Sequence, residues 1–178
     1  MFIEYAVKAT PSDIAAALSW YDEARDLANE MADMGNVSFD QACCIIAAYS
    51  IRRDWKTNER FAREFAAGSR PKAMRSIDKI IDNIMEYDDP FTALNGDKTN
   101  SFAHNIAGDM EAVTLDVWMI RAAGMDATKS LNKTQYREVS AILKTEAANA
   151  GILPAIFQAL VWIVIRGGAK WEPKHSIA

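Results

Sequence analysis

The chain has 178 residues, half of them apolar, with 20 Lys and Arg against 24 Asp and Glu and a net charge of −4. That length supports one sizeable core, as one domain or two small lobes sharing an interface, and the overall charge carries no nucleic-acid signature of its own. The only two cysteines, Cys43 and Cys44, are adjacent, which excludes a disulfide framework and a C-x-x-C metal spacing.

The start, MFIEYAVKAT, lacks a basic region followed by a long apolar core, so no leader is expected. Pro11, Ser12 and Asp13 supply helix-start chemistry before Ile14, Leu18, Tyr21, Ala24, Leu27, Ala28 and Met31, predicting one helix that stops at Gly35. Ser38 is expected to cap a second helix through Tyr49, apolar all round and therefore central. Its buried cysteines point to a reducing compartment, and a cytoplasmic location is expected. A third helix is predicted from Trp55 to Ala67, before Gly68. Arg70-Pro71 is expected to open a fourth, with Met74, Ile77, Ile80, Ile81, Ile84 and Met85 on its inner face.

Asp88-Asp89-Pro90 breaks that helix and Asn95-Gly96 marks a tight turn, in which glycine permits a positive backbone angle. A short helix is expected from Lys98 to Ala107 and another from Asp116 to Gly124. Thr134 is expected to cap a helix through Asn149, and Pro154 to open the last one, to Arg166. The apolar run Ile152–Ile165 is interrupted by Pro154 and Gln158 and falls short of the roughly 20 residues a bilayer requires, so no membrane partner is expected. The tail from Trp171 to Ala178 is expected to be loosely held.

Local charge is less even than the total. Between Arg52 and Lys79 there are nine Lys and Arg against four acids, a stretch that reads either as a solvated charge-rich face or as a surface that tracks phosphates.

Two segments carry a resemblance. Gly96, Lys98 and Thr99 match the end of a glycine-containing hairpin that opens a helix, and Leu115-Asp116-Val117-Trp118-Met119-Ile120-Arg121 matches a V-D-T-H-V-x-R-like segment. Both resemble the helix-hairpin-helix DNA glycosylase superfamily, the group of endonuclease III and the 8-oxoguanine glycosylases. Two weaker matches join them. "AAYSIRRDWKTN" (Ala47–Asn58) is similar to the family's L-S-x-Q-x-x-D-x-x-x-N segment, with Arg52 where a DNA-probing glutamine often stands, and "QALVW" (Gln158–Trp162) is similar to a final-helix pattern. Leu94 stands where the family has its first hairpin glycine, and Trp118 replaces its histidine.

The resemblance implies an all-α, two-lobed fold, with one lobe over residues 38–110 and a second formed by 1–37 and 111–178. It implies a monomer that excises a damaged or modified base from DNA. Asp116 would stabilise positive charge developing on the sugar, and Lys98 would attack the anomeric carbon to give a Schiff base. A cleft holding Lys98 and Asp116 would take an extruded base between pocket walls drawn from Gln158, Trp118, Trp55, Phe102, Tyr49 and Trp162, with Arg52 probing the duplex. Gly96, Thr99, Arg53 and Lys56 would contact the DNA backbone. The family's iron–sulfur cysteine cluster is missing, so no cofactor and no metal are implied. Two other readings remain open: a related enzyme that modifies thymines in DNA without excision, and a catalytically silent DNA-binding module. Set against these, Asp116 could serve only as a helix cap, Lys98 as a solvated lysine and Gln158 as a hydrogen-bonded core amide.

Overall fold

A computed structural model describes residues 1 to 169. The described residues are all helical, with no strand among them. In chain order the helices are α1 (Ile3–Ala6), α2 (Pro11–Leu18), α3 (Asp22–Asp33), α4 (Phe39–Tyr49), α5 (Trp55–Ala66) and α6 (Arg75–Glu86). After a 3₁₀ turn (Pro90–Ala93) come α7 (Asp97–Ala107), α8 (Val117–Ala122), α9 (Lys133–Asn149) and α10 (Pro154–Ile165). The expected tail from Trp171 lies outside the described residues.

Contacts divide the described residues into two compact units, one of Met1–Trp20 with residues 109–169, the other Tyr21–Gly108. The lobes expected over 38–110 and over 1–37 with 111–178 differ from this division in where residues 21–37 belong. The reason is α3, which buries Ala24, Leu27, Ala28 and Met31 and packs on α4 and α7. The single helix expected from Pro11 to Gly35 is therefore two. Ser19 leaves the helical region, Trp20 packs at a tilt against Trp162 with centroids 4.7 Å apart, and Tyr21 turns to Phe102 at 6.3 Å.

Each unit is organised round one nearly all-apolar helix. In Tyr21–Gly108 this is α4, buried from Ala42 to Tyr49 and packed by α3, α5, α6 and α7. Its start is fixed by a capping box in which Ser38 accepts from the Gln41 amide and the Gln41 side chain accepts from the Ser38 amide. α6 contributes Ile77, Ile81 and Ile84, each side chain stabilising by about 1.5–3 kcal/mol on burial. Met74 and Met85, expected on that face, are exposed. α6 also starts at Arg75 and not at Arg70-Pro71; Arg70 lies before it and ion-pairs with its Asp78 and Asp82.

In the other unit the hub is α10, against which α1, α2, α8 and α9 pack. Phe157, Val161, Leu143 and Met119 lie in its core, each essentially without solvent exposure. α9 starts at Lys133, one residue before the expected Thr134 cap, because Asn132 and Gln135 form a reciprocal capping box. No single helix among the described residues is long and apolar enough to cross a membrane.

Candidate functional site

Asp116 is one of two buried aspartates among the described residues of its unit. The segment Val113–Leu115 is held by the Tyr136 hydroxyl, which donates to the Val113 carbonyl at 2.7 Å and accepts from the Leu115 amide at 3.0 Å. Asp116 then caps α8: its Oδ1 accepts from the amides of Trp118 at 2.9 Å and Met119 at 3.0 Å. Its Oδ2 accepts from the indole Nε1–H of Trp162 at 2.8 Å, and the residue is only 6 % exposed. The carboxylate thus sits at the positive end of a helix, with three N–H donors and little water.

Aromatic rings and guanidiniums surround it. Trp162 lies between Trp20 and Arg166, whose guanidinium carbon is 4.3 Å from the Trp162 ring centroid. Arg166 also stands 5.0 Å from the Trp118 ring, and Arg121 4.5 Å from it. Burial lowers the Arg166 pKa, and the attraction of Asp116 opposes that shift. Gln158, one turn before Trp162 on α10, is buried.

Lys98, Thr99 and Gly96 lie in the other unit, at the start of α7. Gly96 is the N-cap residue, without a side-chain cap, and its φ of −95° corrects the expected positive angle. A Cβ there would meet only Thr99 Oγ1, at an ordinary 3.7 Å. Leu94 is buried at the end of the 3₁₀ turn, so the family's first glycine position here holds a packing residue. Lys98 is half-buried in the first helical turn.

Arg52, Arg53, Trp55 and Lys56 lie in the loop and first turn between α4 and α5. Arg52 is exposed and has φ +55°, the only non-glycine in that region among the described residues. Arg53 stacks over Phe61 at 4.5 Å, and Lys56 is exposed. Trp55 and Phe102, expected as pocket walls, are buried within this unit. Trp55 donates its indole N–H to Glu23 at 2.8 Å, and Phe102 packs on Tyr21, so both rings are occupied by internal packing. Farther along the basic stretch, Arg60, Arg63 and Arg70 are ion-paired with Glu64, with Glu30 and Glu59, and with Asp78 and Asp82. Those three are neutralised by acids of α3, α5 and α6.

Sequence reasoning missed the partners of Asp116. Trp162 is expected as one of several candidate pocket walls but not as a hydrogen-bond partner of the carboxylate, Arg166 is legible only as a helix end, and Tyr136 gives no signal. Among the described residues no group of three or more His, Cys, Asp or Glu side chains is placed to hold a metal.

The family model described as a family of unknown function (DUF7178) matches residues 3–169. The chain belongs to that family. No curated protein and no solved structure matches it.

Proposed function

We propose that the protein acts on DNA as a helix-hairpin-helix glycosylase-like enzyme, excising a damaged or modified base. The observation that carries the reading is the setting of Asp116, a carboxylate almost removed from water at the N-cap of α8, with Trp162 and Trp118 beside it. Breaking a base–sugar bond leaves positive charge on the sugar. A fixed carboxylate in a low-dielectric setting stabilises that charge far more than a solvated one, without reorganising during the reaction. Lys98, at the start of α7, is the amine that the resemblance assigns to Schiff-base formation.

One observation favours a second reading, a DNA-binding module without turnover. Both oxygens of Asp116 already accept hydrogen bonds from the protein, which is what a purely structural cap requires.

The test is a panel of oligonucleotides carrying different base lesions and modifications, with base release followed by chromatography and covalent adducts trapped by borohydride. Release lost in Asp116→Asn but retained in Trp162→Phe, which disturbs the same cap and leaves the carboxylate, supports the enzyme. An adduct abolished by Lys98→Ala adds the lyase step. Salt-dependent binding with no release from any substrate, indifferent to Asp116→Asn, supports the silent module instead.

A further inference from the structure

Arg121 closes α8 and Arg166 caps the C-terminus of α10, so each guanidinium sits where a helix dipole favours a cation. Their placement on Trp118 is less expected. Two like charges are held 4.5 Å and 5.0 Å from the centroid of one half-buried indole, and the second is also stacked on Trp162. The ring quadrupole attracts each cation, but it leaves their mutual repulsion in place. Among the described residues no carboxylate lies within ion-pair distance of Arg121, in contrast to Arg60, Arg63 and Arg70.

Each guanidinium is preorganised for an anion. A guanidinium already fixed against an aromatic face loses little freedom on meeting a ligand, and its planar fork matches two oxygens of one phosphate. Arg166 is half-buried, so it has given up part of its hydration.

We propose that Arg121 and Arg166, stacked on Trp118, form a phosphate-binding site, and that the phosphate belongs to a nucleic-acid strand. A strand is favoured over a free phosphate because the indole–guanidinium stack offers flat faces on which an unpaired base can lie beside the bound phosphate. The assignment to a strand rests on the DNA reading above; the anion site does not.

The experiment measures binding and not base release, so the two proposals fail separately. Fluorescence anisotropy of a labelled single-stranded oligonucleotide is followed from about 50 to 200 mM salt for the full chain and for Arg121→Ala, Arg121→Lys and Arg166→Gln. Arg75→Ala, on α6 of the other unit, serves as the control for general charge. Each loss of an arginine charge is expected to flatten the slope of log affinity against log salt by about 0.7. Arg121→Lys is expected to restore the slope but not the full affinity. Arg121 is exposed, so its variants keep the test valid if Arg166→Gln proves unstable. Unchanged slope and affinity in Arg121→Ala overturn the site. Arg121-dependent binding of pyrophosphate, measured by calorimetry, with no binding of the oligonucleotide overturns the assignment to a strand.

Discussion

The indole N–H of Trp162 donates to Oδ2 of Asp116 at 2.8 Å, across 46 residues of sequence, and both residues are buried. This bond ties the hub helix α10 to the N-terminus of α8. Asp116→Asn cannot reproduce it. With the amide oxygen on the α8 amides, the NH₂ faces the indole N–H, and flipping the amide only moves the donor–donor conflict to the helix end. The expected loss is roughly 1–3 kcal/mol in urea unfolding. Trp162→Phe is expected to lose a similar amount, and the double variant less than the sum, because both remove the same bond. Additive losses would show that the bond contributes little.

Tyr136 positions the segment that leads into this cap. Its hydroxyl is the partner of both the Val113 carbonyl and the Leu115 amide, and Leu115 is buried. Tyr136→Phe keeps the ring and removes only the oxygen, leaving a donor and an acceptor short of a partner. A cost of about 1–3 kcal/mol is expected, with faster hydrogen exchange at the Leu115 amide. Unaltered exchange at that amide would contradict the role.

Asp13 makes stability depend on pH. Burial pushes its pKa up, but hydrogen bonds from the Thr10 amide and hydroxyl and from the Ala169 amide outweigh that, and the net shift is downward. A depressed carboxyl pKa stabilises the folded chain above the ordinary aspartate value of about 3.9, and the contribution is lost as pH falls below it through the folded value. The urea midpoint of the wild type is expected to exceed that of Asp13→Asn at neutral pH, with the gap closing on acidification below about pH 4. A gap that stays constant down to pH 3 would rule this out.

Cys43 and Cys44 are fully buried on α4, and burial pushes the Cys43 thiol up to about 12 and raises Cys44 as well. Thiolate is the reactive form, so native protein is expected to resist thiol reagents at pH 8 and to react only as fast as it opens. Adding denaturant below the unfolding midpoint should speed labelling in step with the loss of stability. Rapid native labelling would mean that α4 is not the hub it is taken to be.

What could be read in the sequence was what short-range chemistry dictates. The Ser38 cap and the apolar α4 it opens follow from local composition, as does Asp116 at the N-cap of α8. The break between α2 and α3 was hidden because Tyr21, Ala24, Leu27 and Met31 continue the spacing of Ile14 and Leu18. Only the separate docking of Trp20 and Tyr21 reveals it. The Asn132–Gln135 box was overlooked in favour of a single threonine. At the candidate site the carboxylate was legible, while Trp162, Arg166 and Tyr136 reach it only through tertiary packing. Trp55 and Phe102 show the converse: aromatic identity suggested pocket walls, and burial made them packing residues.

Two glycines bracketing α7 separate a backbone requirement from room for a ligand. Gly108 ends the helix with φ +105°, a conformation that a side chain strains, and a Cβ there would touch nothing within 4 Å. Gly108→Ala is therefore expected to cost about 1 kcal/mol or more through the backbone alone. Gly96, at φ −95°, carries no such strain, and its replacement by alanine is expected to cost only a few tenths of a kcal/mol as a poorer cap. If a DNA phosphate approaches the start of α7, as the resemblance implies, the added methyl acts on binding instead. Gly96→Ala would then weaken oligonucleotide affinity several-fold at nearly unchanged urea midpoint, and Gly108→Ala would do the reverse. Equal affinity in wild type and Gly96→Ala would remove Gly96 from the DNA-contacting set.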